Sequence, residues 1–294
     1  MTHSIGIIGN GFVGSAVAAG FSGDTKIRIY DTNSARSTDS FYDVVNKSEF
    51  IFICVPTPMT NVTGGNIDLA IVDSVFERID EVNRSSDNIF IVKSSVIPGT
   101  VEKYIMEYPN LNIVFNPEFL TERNARLDFI NASRTVLGGS NELVDRVEKL
   151  FRHRFPHSNI IKTNVTAAQF IKYMANCFFS VKVSFMNEMR QAANILEIPW
   201  DDVLHGFITD GRIGNSHINV PGHDGDCGFG GKCFPKDINA FISFFEKLGV
   251  APTVMKAAWI KNLEVRKNLD WAEIDGAVSS NTKIDKGEIN NEIK

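Results

Sequence analysis

At 294 residues, 43% hydrophobic and 22% charged, the chain has the composition of a soluble globular protein with one large or two ordinary domains, each able to bury a core. Its formal net charge of −5 argues against a binder that works by neutralising nucleic-acid phosphates, and no window reaches the roughly 18 apolar residues of a membrane span. Four cysteines (Cys54, Cys177, Cys227, Cys233) are too few for a disulfide framework, and no secretion signal opens the chain, so a reducing, cytoplasmic compartment is expected.

Ser4 to Ile8 is a short apolar run, followed by Gly9-Asn10-Gly11-Phe12-Val13-Gly14 and a small-residue helix pattern from Ser15 to Gly20. This is the strand, turn and helix order of a dinucleotide-binding fold. Gly9 permits the tight turn, Gly11 lets a pyrophosphate approach the backbone, and Gly14 allows close packing of helix on strand. The next strand, Lys26 to Tyr30, ends in Asp31, where a carboxylate accepts the adenosine ribose hydroxyls and repels a 2′-phosphate. The pattern therefore predicts NAD rather than NADP.

Strand and helix patterns then alternate: strand from Phe50 to Val55, helix Leu69 to Val82, strand Asn88 to Lys93, helix Thr100 to Met106, strand Leu111 to Phe115, strand Arg134 to Leu137, helix Asn141 to Phe151 and strand Asn159 to Thr163. The order predicts an α/β domain over residues 1–163, a Rossmann-like, doubly wound parallel sheet with helices on both faces. Ligands of such sheets bind beyond the carboxyl ends of the strands. Polar clusters fall there: Pro56-Thr57-Pro58, Lys93-Ser94-Ser95, and Asn116-Pro117-Glu118 with Glu122 following. We place Gly9, Gly11, Phe12, Val13, Gly14, Asp31, Pro56, Thr57 and Ser95 in the NAD site. Cys54, inside an apolar run, reads as a core residue.

From Thr166 to Leu196 the pattern becomes one long helix capped by Asn164, opening an all-helical domain over residues 164–275. Lys172 and Asn176 share a face of it, as do Asn187 and Gln191. A short helix is expected from Pro199 to Ile208, a loop over Gly211 to Asn215, and a final helix from Val254 to Ile274. Between them lies Gly228-Phe229-Gly230-Gly231-Lys232-Cys233-Phe234-Pro235-Lys236-Asp237. Pro235 suits the first turn of a helix running to Leu248, with Phe241, Phe244, Phe245 and Leu248 as its core stripe. Cys233 then lies at the positive end of that helix with Lys232 and Lys236 close in sequence, surroundings that favour a nucleophilic thiolate. His217, His223, Cys227 and Cys233 are separated by five, three and five residues, which is no paired zinc pattern, and no metal is expected. Residues 276–294 read as a polar, disordered tail.

With these residues assembled, the chain resembles the UDP-glucose/GDP-mannose dehydrogenase family of NAD-dependent nucleotide-sugar dehydrogenases, from Ile5 to about Ile274. The specific signatures are Asn116-Pro117-Glu118-Phe119-Leu120 and Gly228 to Asp237. The resemblance implies that Cys233 traps an aldehyde and becomes a thioester, and that Lys172 and Asn176 stabilise negative oxygen at the sugar carbon. It implies that Asp237 positions water and the lysine, that Glu118 activates water, and that Ser95 supplies a hydroxyl at a position where the family usually has threonine. Glu122, Phe229 and Gly230 become substrate contacts, and Arg212 reaches the sugar of the neighbouring subunit in a homodimer formed through the helical domain. The implied reaction is oxidation of a sugar C6 alcohol, UDP-glucose first, to the uronic acid. The family continues into a third, nucleotide-binding domain that this short form is expected to lack, which keeps open an impaired NAD-binding or regulatory homologue and a single-step hydroxyacid dehydrogenase. No nucleic-acid or membrane partner is expected.

Overall fold

The structure, a computed structural model, describes residues 3–23 and 25–279. Two compact units divide the chain: residues up to Thr57 with Leu69–Lys172, and Pro58–Asp68 with the chain from Tyr173 onward. The division falls at Lys172, inside the long helix, rather than at residue 163. The loop after the third strand belongs to the second unit.

The first unit contains β1 (Ser4–Ile8), α1 (Phe12–Phe21), β2 (Lys26–Tyr30), α2 (Phe41–Asn46), β3 (Phe50–Ile53), α3 (Ala70–Val82), β4 (Ile89–Val92), α4 (Thr100–Glu107), β5 (Asn112–Phe115), α5 (Ala125–Ile130), β6 (Thr135–Gly138), α6 (Asn141–Arg154) and β7 (Ile160–Thr163). The strands form one sheet in the order β2-β1-β3-β4-β5-β6-β7. Because β2 and β3 flank β1 on opposite sides, the winding reverses there, and a crevice at the carboxyl ends is the place where such sheets bind ligands. The sheet is mostly parallel rather than wholly so: β5 meets β6 antiparallel through Phe115 and Gly138, while β6 and β7 are parallel to each other. The stretch between β5 and β6 folds back along β6, where the Asn116 side-chain amide donates to the Val136 carbonyl at 2.8 Å.

Strand alternation sorts the core into two layers. Ile5, Ile7, Phe50, Phe52, Ile89, Ile91 and Val114 pack against α1, α5 and α6, whereas Ile8, Ile51, Ile53, Phe90, Val92, Ile113 and Phe115 pack against α2, α3 and α4. Both faces are thereby covered, which is why these strands read as continuous apolar runs.

The helix α7 (Val165–Ile195) leads into the second unit, whose further helices are α8 (Trp200–Ile208), α9 (Phe234–Lys247) and α10 (Thr253–Val265). Asn164 caps α7 by accepting from the Ala167 N–H at 2.8 Å. Within the second unit α7 buries a polar row, Asn176, Ser180, Ser184 and Asn187, and exposes an apolar one, Met174, Phe178, Phe185 and Met189. The expected single helix from Val254 to Ile274 is interrupted. Arg266 leaves helical geometry after α10, and a 3-10 turn follows at Asp270–Ala272. Capture of the Lys267 and Asn268 N–H groups by the Asp226 carboxylate, at 3.1 and 2.9 Å, holds the chain out of the helix there. On α9, Phe241 is buried as expected but Leu248 is exposed, because the helix ends at Lys247 and the chain turns away at Gly249. Of the stretch assigned to a polar tail, residues 276–279 are built into the second unit, with Val278 bridging to Met59, and 280–294 lie outside the described residues.

Candidate active site

In the first unit the glycine turn has the geometry its sequence predicts. Gly9 sits at φ +93°, and a side chain at Gly14 would lie 2.0 Å from the Gly9 carbonyl oxygen. Gly11, at the N-cap of α1, has open space on the side where a Cβ would stand. The start of α1 thus presents an uncovered backbone to an anion. Asp31, at the end of β2, accepts from the Asn10 N–H at 2.7 Å and from the Asn33 N–H at 2.8 Å, so its carboxylate is tied to that turn. An approachable backbone beside a fixed carboxylate fits the pyrophosphate and ribose of NAD. Phe12 and Val13 are half-buried in the first turn of α1, Pro56 is exposed after β3, Thr57 is buried beside it, and Ser95 is half-buried beyond β4.

A second group of charges lies beyond β4 and β5. Glu118 is buried, accepting from Lys172 Nζ at 2.5 Å and from the Leu120 N–H at 2.7 Å. Lys172 is equally buried, so the surface lysine that residue type alone suggests is instead half of an interior ion pair. Lys93, which the sequence reading passed over in favour of its neighbour Ser95, is also buried and donates to the Asn116 side-chain oxygen at 2.9 Å and its carbonyl at 3.3 Å. Burial pulls the Lys93 ammonium down to about 8; the nearby Cys54 and Glu118 oppose that, and Lys172 adds to it. Its position at the carboxyl end of a strand was the available signal. Burial pushes the Cys54 thiol up to about 12, which makes it inert packing. A cavity of about 720 Å³ opens beside Glu118, with Lys93, Phe119, Arg134 and Arg154 in its wall. Glu122 lies exposed in a 3-10 turn next to this segment.

In the second unit Cys233 occupies the N-cap of α9, with Pro235 in the first turn, so the thiol stands at the positive end of the helix dipole. Asp237, fully buried one turn later, accepts from Asn176 Nδ2 at 2.6 Å and pairs with Lys236. The Lys236 charge is therefore compensated by Asp237. Burial, with Asp237 as the next cause, drives the Tyr173 hydroxyl and the Cys177 thiol well above their ordinary values, which leaves both neutral. Arg212 stands on an exposed loop with 89% of its side chain in solvent, clipped to Asp210 at 2.5 Å; that contact holds the Asp210 carboxyl below its usual range.

The glycines before Cys233 face a clamp that sequence reasoning missed. Both backbone groups of Phe229 bond to Asn262, and a side chain at Gly230 would lie 2.1 Å from Arg266 and 2.3 Å from Asp270. Phe229 and Gly230, expected to face substrate, are thus engaged with α10 and the turn after it. His217 stacks on Phe179 with centroids 4.1 Å apart.

Comparison with known proteins follows the same division. Residues 28–154 match the NAD binding domain of the UDP-glucose/GDP-mannose dehydrogenase family, and residues 166–264 match its central domain. A UDP-glucose 6-dehydrogenase of Bacillus subtilis is 31% identical over 240 residues, 79% of this chain and 50% of that protein. A UDP-glucose dehydrogenase structure from Pyrobaculum islandicum superposes with a TM-score of 0.76 at 27% identity, covering 89% of this chain and 68% of that one. A 3-hydroxyisobutyrate dehydrogenase of Mycobacterium tuberculosis shares the fold alone, with a TM-score of 0.71 at 16% identity over 89% of this chain and 93% of that one. The chain spans about half the length of such relatives as the Bacillus protein. It belongs to the UDP-glucose/GDP-mannose dehydrogenase family, of which it carries the NAD-binding and central domains.

Proposed function

We propose that the chain provides the NAD-binding and catalytic parts of an NAD-dependent nucleotide-sugar 6-dehydrogenase, with UDP-glucose the first substrate to test. The observation that carries this reading is a cysteine at a helix N-terminus, one turn before a buried aspartate that holds Asn176. A dehydrogenase that stops at a ketone or aldehyde has no use for such a thiol. Conversion of a primary alcohol to an acid removes two hydrides, which NAD, when bound at Gly9 to Gly14 and Asp31, accepts one after the other.

The protein's own task is to keep the aldehyde from escaping between the two oxidations. The Cys233 thiolate adds to the aldehyde carbon and holds it as a thiohemiacetal, then as a thioester after the second oxidation. Lys172 and Asn176, one helical turn apart, supply a cation and an amide donor for the oxygen that turns negative. Glu118 takes a proton from the water that cleaves the thioester, releasing the acid and returning the thiol. Glu118 is held in place for this by Lys172 Nζ at 2.5 Å and the Leu120 N–H at 2.7 Å.

We further propose a homodimer, formed through the apolar row of α7, with the exposed Arg212 reaching the partner's sugar. The cysteine usage supports a cytoplasmic setting. Among the described residues no helix is long and apolar enough to cross a membrane. The test is stoichiometric: UDP-glucose, and then other nucleotide sugars, are incubated with NAD while NADH and the acid are quantified. About two NADH per acid is expected, with Cys233→Ser yielding no acid. One NADH per oxidised product, or acid formation unaffected by Cys233→Ser, refutes the reading.

A further inference from the structure

We infer that Asn262 is the positioning residue of the cysteine loop, setting the place of Cys233 from outside the signature that contains it. The inference rests on the reading of Cys233 as the nucleophile, and it concerns a residue whose side chain bonds the Phe229 backbone, four residues before the thiol. Asn262 lies on α10 and is fully buried. Its side-chain amide is spent on one backbone residue: Oδ1 accepts from the Phe229 N–H at 2.6 Å, and Nδ2 donates to the Phe229 carbonyl at 3.0 Å. A primary amide that pairs with both groups of one residue does what a neighbouring β-strand does, in a place with no strand.

Two further side chains complete the grip. Asn187 Oδ1 accepts from the Gly228 N–H at 3.1 Å, and Asp270 Oδ2 accepts from the Gly231 N–H at 3.0 Å. Asp270 is itself held by Arg266 Nη2 at 3.0 Å, and that guanidinium also pairs with Asp224 at 2.7 Å. The glycines are what let the clamp close. A side chain at Gly228, where φ is +71°, would lie 2.3 Å from Asn262 Oδ1. The three loop N–H groups so held end two residues before Cys233. Their directions therefore fix how the chain enters α9 and where the thiol stands relative to the helix N-terminus, the feature that lowers a thiol's pKa.

The amide chemistry supplies its own control. Asn262→Asp keeps the acceptor for the Phe229 N–H but, when ionised, turns an acceptor toward the Phe229 carbonyl. When protonated, the carboxylic acid again offers one donor and one acceptor in the same shape. Two properties are to be measured in the full chain: hydrogen exchange of the 228–233 backbone, corrected for intrinsic rates, and the pH midpoint of Cys233 alkylation by iodoacetamide. In Asn262→Ala at pH 8 the loop amides should exchange at least about tenfold faster, the effect of one lost buried hydrogen bond. The alkylation midpoint should move toward that of an ordinary thiol, about 8.5. Asn262→Asp should behave like the alanine variant at pH 8 and recover loop protection near pH 5, which Asn262→Ala should not.

A merely structural asparagine lowers thermal stability and leaves the alkylation midpoint where it was. Folded Asn262→Asp protein with native loop protection and an unchanged midpoint at pH 8 would overturn the inference. Retention of the two-NADH stoichiometry by Cys233→Ser would instead remove the functional reading and leave the clamp measurement valid.

Discussion

Lys93 shows how far burial can carry a single charge. It sits at the end of β4 among Cys54, Glu118 and Lys172, and its ammonium is drawn from 10.5 down to about 8. A depressed lysine pKa means that the unfolded chain binds the proton more tightly than the fold does. Between about pH 8 and 10.5 the unfolded state therefore carries more protons, and stability rises with pH through that window. The shift corresponds to a cost of about 3 kcal/mol at neutral pH relative to the neutral amine. Lys93→Met should abolish this rise, while leaving Asn116 without its ammonium partner at every pH. Urea midpoints of both proteins from pH 7 to 10.5 check it. Wild-type and variant curves that stay parallel across the window would show that Lys93 keeps an ordinary pKa.

At the scale of elements, the pieces legible in the sequence were those whose causes are local. The glycine turn, Asp31 at a strand end, the Asn164 cap and the Pro235 helix start each need only a few adjacent residues, and each stands where it was expected. The six-residue helices α2 and α5 carry too little periodicity to read. The antiparallel join of β5 to β6 and the early end of α10 depend on partners far along the chain, Val136 for Asn116 and Asp226 for Lys267. The same holds for the site: Cys233 announces itself by its neighbours, whereas Asn262 acts across 33 residues and bears no local mark.

The glycine turn also separates two jobs that one motif performs. Gly14→Ala forces a methyl against the Gly9 carbonyl, so α1 must lift from the sheet; a loss of about 1–3 kcal/mol in denaturant unfolding is expected, together with weaker NAD binding. Gly11→Ala meets open space at an ordinary φ of −77°. It should cost less than about 1 kcal/mol of stability, the difference between glycine and alanine at an N-cap. NAD binding should nevertheless weaken about tenfold or more, as the methyl occupies the approach to the helix start. Calorimetric NAD titration beside urea unfolding distinguishes the two. Equal stability loss in both variants would count against the division of roles.

At the scale of the whole molecule, the question is what covers the apolar row of α7. At about 100° per residue, Met174, Phe178, Phe185 and Met189 fall within about 60° of one another. They are 37–63% exposed, while Asn176, Ser180, Ser184 and Asn187 are buried on another face. An amphipathic surface helix does the reverse. The polar row has its reasons inside the unit: Asn176 serves Asp237, Ser184 donates to the Ala258 carbonyl at 2.7 Å, and Asn187 holds Gly228. Apart from the edge of Phe178 on Phe179, the apolar row stays exposed among the described residues, and a second copy presenting the same row would bury both. Phe178→Glu combined with Phe185→Glu should therefore leave the helix content and NAD affinity intact, since neither residue belongs to the buried row or to the first unit. It should weaken self-association about a hundredfold or more, as expected for two aromatic anchors at an interface centre. Sedimentation equilibrium from micromolar concentration upward measures this. A wild-type monomer across that range, or a double variant that still dimerises, would show that the exposed row of α7 is not the contact.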